Sequence, residues 1–183
     1  MRLARRKLVA FLLALSGSSP AAAQLPPIAT PEQLVAATNA CVAATSTEGT
    51  DVEALKASGW NEQPAEVTER QGPPAEMKVY AAVGNPTLIL SLASETRTLP
   101  GCVAIARMSR LEDYPAIKRD FVGAFGEAIG GDEAAPIFRA GEIVISLSHE
   151  PDQEQGYLLR VPVATEDTWA RIGSENGVSP DEE

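Results

Sequence analysis

The side chains here that could do specialised chemistry are few: Cys41, Cys102 and the single histidine, His149, set among 25 acidic residues. A serine–histidine–acid hydrolase would need His149 as its base and an activated serine beside it. His149 stands in SLSHEPD, at a strand end before a turn, and no G-x-S-x-G elbow occurs. It reads as a solvated surface residue. Zinc asks for three or four ligands with His or Cys among them, and one histidine with two pairable cysteines does not supply them. DEAAP and EPDQEQ lack the spaced oxygen ligands and the glycine of an EF-hand loop. GAFGEAIGG follows no strand and lies inside a helical pattern, so it is no phosphate or dinucleotide loop. Carboxylates are numerous enough for a glycosidase pair. They cluster in polar stretches such as Glu62–Glu66–Glu69, Asp132–Glu133 and Glu150–Asp152–Glu154, and read as a solvated surface. The sequence therefore points to no catalytic residue, no metal ligand and no cofactor.

The cysteines are better explained by where the chain goes. MRLARRKLVAFLLALSGSSPAAAQ opens on four basic residues, continues into a short apolar core from Leu8 to Leu15, and ends in small residues. That order is a secretory signal peptide, with cleavage expected near Ala23–Gln24. The apolar core is much shorter than the ~20 residues of a membrane-spanning helix, and no later stretch is long and apolar enough to span. An exported protein folds where thiols are oxidised, and two cysteines there usually pair. A Cys41–Cys102 bridge is expected, structural and not redox-active, because no C-x-x-C motif or basic neighbour activates either thiol. Closing a loop of about 60 residues stabilises by roughly 4 kcal/mol in the chain-entropy account.

Charge narrows the partners. The whole chain has a net charge of −10, and removing the leader leaves 11 basic against 25 acidic residues, a net of −14. Such a chain repels nucleic-acid backbones and anionic headgroups, so nucleic acid is not an expected partner, and opposite charge favours a cationic protein or peptide.

The elements that position these residues follow from pattern. TPEQ predicts a helix start, with Thr30 as cap, Pro31 in the first turn and Gln33 as reciprocal partner. Leu34, Val35, Thr38, Cys41 and Val42 then recur at helical spacing, which puts Cys41 on the apolar stripe. A short second helix is expected after Thr50 or Asp51, with Glu53 completing a capping box. Gly59 is expected to end it, with Trp60 folding back into the core. Residues 66–70 suggest an edge strand. MKVYAAV, TLILSLA and GCVAIARM predict three strands, the first two joined by a hairpin. DYPAIKRDFVGAFGEAIGG predicts one long helix, capped by Asp113 or Tyr114, with Ile117, Phe121, Ala124, Phe125, Ala128 and Ile129 as its apolar stripe, ended by Gly130–Gly131, and with Gly123 and Gly126 marking close approach to strands. EIVISLSHE and GYLLRVPVA predict a second hairpin, and Pro162, which cannot donate to a ladder, argues that its last strand lies at an edge or ends there. EDTWARI suggests a final helical turn.

Strand groups separated by helices and joined by hairpins imply an α+β fold: an antiparallel sheet with helices packed mainly on one face, in two layers. The expected organisation is a signal peptide at 1–23, one α+β domain at 24–173 and an acidic mobile tail at 174–183. Tyr80, Ile89, Val103 and Ile105 are candidates for an apolar patch if the second face of the sheet is open. The functional expectation is a non-catalytic binding or envelope-associated domain in the periplasm or outside the cell. The alternative is a carboxylate-dependent hydrolase acting on an envelope polymer.

Overall fold

The computed structural model describes residues 28–63, 76–93, 101–151 and 156–175. The expected leader, the strand at 66–70 and the tail from 176 onward lie outside the described residues, whereas residues 174 and 175 belong to the last helix.

The first helix, α1 (Pro31–Ala44), begins as its sequence predicts. Gln33 N–H donates to Thr30 Oγ1 at 3.3 Å, and Thr30 N–H donates to Gln33 Oε1 at 2.9 Å. The buried side of α1 is Leu34, Ala37, Thr38, Ala40, Cys41 and Ala44, mostly small residues that let the helix lie close to the strands beneath. A two-strand hairpin follows, β1 (Thr45–Ser46) with β2 (Gly49–Thr50), and then α2 (Val52–Ala57). Asp51 caps α2 by accepting from Glu53 N–H and Ala54 N–H. The expected box is only half formed: with Asp51 as the cap, the third helical position is Ala54 and not Glu53, and Asp51 N–H donates to Ala44 O at 2.7 Å. Past the helix, Gly59 adopts φ +87° and Trp60 N–H returns to Leu55 O at 3.0 Å, which buries the indole.

The main sheet comprises β3 (Asn61–Gln63), β4 (Glu76–Ala82), β5 (Asn85–Ala93), β6 (Cys102–Met108), β7 (Gly130–Gly131), β8 (Pro136–Ala140), β9 (Ile143–Ser146), β10 (Ser148–Pro151) and β11 (Tyr157–Thr165). It is antiparallel, in the order β3-β4-β5-β6-β11-β9-β8-β7, with β10 also paired to β11. Helix α3 (Tyr114–Phe125) separates β6 from β7, and α4 (Glu166–Glu175) follows β11. The α+β expectation holds. The order also exposes a plan: helix, then a run of four antiparallel neighbours, twice (β3–β6, and β7–β9 with β11), with the last strands, β6 and β11, paired at the centre.

Four sequence expectations are corrected. Helix α3 stops at Phe125, because Gly126 turns to φ +85°, and Gly130–Gly131 joins the sheet as β7 and does not cap a helix. Gly123 marks no close approach: a Cβ there would meet nothing within 4 Å. Asp113 stands at the cap position of α3, but its side chain makes no capping hydrogen bond; its carboxylate accepts from Arg110 at 3.3 Å, at the end of a 3-10 turn at Leu111–Asp113. β11 is central and not an edge. The ladder to β10 ends at Arg160 and that to β9 begins at Val163, so Pro162 falls in the gap between them, where a missing N–H breaks no rung on that side.

Alternation then sorts the side chains into two faces. Cys102, Ala104, Ala106 and Met108 of β6 are buried, and the register puts Ile89, Leu159, Val161 and Val163 on the same side. Here α1 crosses β5, β6 and β11, and the core closes with Leu34, Leu55, Trp60, Ile117 and Phe121. Tyr80 and Ile89, expected as patch candidates, are core residues of this face, both at 0% exposure. Val103 and Ile105 do point the other way, with Val79, Leu88 and Leu90, all half-buried.

Candidate functional site

The one residue pair that the sequence assigns is bonded. Cys41 and Cys102 form a disulfide with an S–S distance of 2.10 Å and a Cα–Cα distance of 5.6 Å, joining α1 to the first residue of β6. Both sit at 0% exposure, and no free cysteine remains. The bridge holds helix to sheet and presents no thiol for chemistry.

His149 is not a solvated surface residue. Register with Leu159 turns it to the helix-bearing side of β10. Its ring stands edge-on to Tyr114, centroids 4.5 Å apart, and to Tyr157 at 5.8 Å. Tyr114 is anchored in turn: its hydroxyl donates to Ala134 O at 2.7 Å and lies 3.2 Å from Leu147 O. Burial, aided by the Asp132 carboxylate, pushes its phenol up to about 12. Lys118 Nζ hangs 5.6 Å from the centre of the Tyr114 ring. A hydrolytic histidine is oriented by an acid on one ring nitrogen, but His149 Nδ1 is buried without a hydrogen-bond partner. The cluster is an aromatic clamp between α3, β10 and β11. Nothing in the sequence placed Tyr114 and Tyr157 on either side of His149; only the register brings them together.

A cleft of about 400 Å³ lies between the β1–β2 turn and α4, lined by Thr47, Thr165, Asp167, Ala170 and Arg171. Thr165 caps α4 by accepting from Thr168 N–H, and Arg171 donates to Thr168 Oγ1. Glycoside hydrolysis requires two carboxyl groups flanking one bond, and this cleft is lined by one carboxylate, Asp167. Among the described residues, no three His, Cys, Asp or Glu side chains converge as metal ligands.

The surface is otherwise a field of carboxylates. Lys56, Lys78, Lys118, Arg139 and Arg160 pair with Glu53, Glu62, Glu133, Glu166 and Glu150. The exposed Glu48, Glu112, Glu127 and Glu142 have no such partner among the described residues. The second face of β4–β6 carries Val79, Ala81, Leu88, Leu90, Val103 and Ile105, and none of β5, β6, β8, β9 or β11 contains an acidic residue. α1 packs on the opposite face of the same strands. Across β11, the second face changes character. Val144 and Ala164 are buried there, α4 packs on β9 and β11, and Glu166 bonds Arg139.

No helix among the described residues is long and apolar enough to cross a membrane. In comparisons with known proteins, no family model, curated protein or solved structure matches this chain.

Proposed function

We propose that the chain is an exported, non-catalytic binding domain that works in the periplasm or outside the cell and receives a cationic protein or peptide. The observation that carries this reading is charge. The chain without its leader has a net charge of −14, and its described surface keeps exposed carboxylates with no cation beside them. Such a field raises the encounter rate of an oppositely charged partner and weakens with salt. Export draws support from the order of the first residues, basic then apolar then small, and from a disulfide that suits an oxidising compartment.

The reading is tested with the leaderless protein and a fluorescent peptide of alternating lysine and leucine blocks, by anisotropy at low and at physiological ionic strength. Binding at low salt that weakens steeply as salt rises is expected, with no binding of the glutamate-for-lysine peptide. Failure of the cationic peptide to bind at low salt overturns the proposal.

A further inference from the structure

We propose that the β1–β2 hairpin is the gate of the disulfide. It opens together with the last turn of α1 while the main sheet stays folded, and a dithiol reductant reaches the Cys41–Cys102 bridge through that opening.

The hairpin grips both ends of the bond. The last four carbonyls of a helix have no partner inside it, and in α1 these belong to Cys41, Val42, Ala43 and Ala44. Three of them are taken up by the hairpin and its exit. Thr45 Oγ1 donates to Cys41 O at 2.8 Å, Thr45 N–H donates to Val42 O, and Asp51 N–H donates to Ala44 O at 2.7 Å. The turn that carries Cys41 is thus closed by β1 and by the residue that follows β2. At its other end the hairpin rests beside Cys102. A Cβ placed on Gly101 would lie 3.4 Å from the carbonyl carbon of Gly49 and 3.5 Å from its oxygen, so backbone packs on backbone next to the bridge.

The same hairpin is lightly held. β1 and β2 pair only with each other, through Thr45 with Thr50 and Ser46 with Gly49, and join no strand of the main sheet. Ser46, Thr47 and Glu48 are exposed. Ser46 Oγ spends its bonds inside the hairpin, donating to Gly49 O and accepting from Glu48 N–H. Gly49 holds φ +119°, where any side chain is strained. The earlier turns of α1, by contrast, are seated through Leu34, Ala37 and Thr38. Segments with few buried contacts and exposed backbone bonds open well below the free energy of global unfolding. When this one opens, the turn bearing Cys41 loses three of its acceptor contacts and lifts from β6. A thiolate of the dithiol then attacks Cys41 Sγ, and Cys102 leaves as a thiolate. The second thiol of the reductant attacks the mixed disulfide and expels Cys41. Two electrons pass to the bridge, the reductant ends as its own disulfide, and its two protons end on the cysteines.

The test follows reduction of the oxidised, leaderless chain by excess dithiothreitol at rising urea, with freed thiols trapped by alkylation. Below the unfolding transition the rate should be nearly independent of urea. A rate that tracks global unfolding from the lowest urea upward, or no reduction before the transition, overturns the gate. Gly49→Ala should speed reduction without urea about tenfold. Thr45→Val, which removes the hydroxyl held by Cys41 O, should speed it severalfold. Gly141→Ala strains the distant β8–β9 turn, where φ is +63°, and should lower global stability while leaving the rate unchanged. Equal acceleration by Gly141→Ala and Gly49→Ala makes global unfolding the route and refutes the proposal, as do unchanged rates in both hairpin variants. Should Gly49→Ala fail to fold, Thr45→Val and the wild-type urea series decide.

Discussion

The two helix–meander halves cover the same sheet face by different means. Apart from Leu34, α1 lies on the first meander through alanines, a threonine and Cys41, side chains too small to interlock deeply, and a covalent bond to β6 adds to the contact. α3 lies against the second meander through aromatics: Phe121 packs on Phe138 of β8 with centroids 5.7 Å apart and on Phe125 at 5.4 Å, and no bridge is present. A helix of small residues approaches closely but gains little apolar burial per residue. A helix with phenylalanines gains more and needs no staple. The outer faces differ too: aliphatic on the first half, and on the second a mixture of aliphatic residues, some buried beside α4, with ion-paired Arg139 and Arg160.

This contrast is open to direct attack. Phe138→Ala should have the largest effect, a loss of about 4 kcal/mol in urea unfolding, since a fully buried phenylalanine leaves a cavity. A loss below about 1 kcal/mol would mean that the second half is not held by its aromatics. Replacing Cys41 and Cys102 together with alanine should cost about 3 kcal/mol, because 61 positions of sequence separation are no longer closed in the unfolded chain. An unchanged midpoint would show α1 to be seated without its staple.

Tyr114→Phe should cost about 1 kcal/mol by removing the hydroxyl that ties α3 to Ala134. It should also change the alkaline limb of stability. The folded phenol titrates near 12 and the free one at 10.0, so its contribution is complete below 10.0 and is lost as pH rises toward 12. Wild type should lose stability across that window more steeply than Tyr114→Phe, and parallel curves would refute the assignment. Smallest of all, Glu166→Gln should change stability by less than about 1 kcal/mol, and the change should vanish in high salt, as for any half-exposed ion pair.

Much of the fold was legible because local signals agreed with one another. The Thr30–Gln33 box, Gly59 with Trp60, and the strict alternation of Cys102–Met108 each require only near neighbours. The bridge was legible because export and two apolar positions pointed to the same pair. What escaped notice depended on distant partners. PIFRA is too short to announce β8 by itself and becomes a strand because β9 pairs with it. The bend at Leu147 splits EIVISLSHE into β9 and β10, and with it explains how Pro162 fits a central strand. The α3 stop failed differently: the apolar spacing of Ala128 and Ile129 continued the pattern, but Gly126 left it. His149 was misplaced because its neighbours come from α3 and β11, far away in sequence. The candidate surface was half legible: Val103 and Ile105 face outward, whereas Tyr80 and Ile89 required the register to be assigned inward.

The sealed position of the Cys41–Cys102 bridge also says something about time. Thiol–disulfide exchange needs access to a sulfur, and both cysteines are closed off once α1 covers β6. An oxidant therefore meets them only before that helix seats, or after it lifts. The bond therefore forms, or breaks, only while α1 is off β6, whether before the helix first seats or in a later local opening.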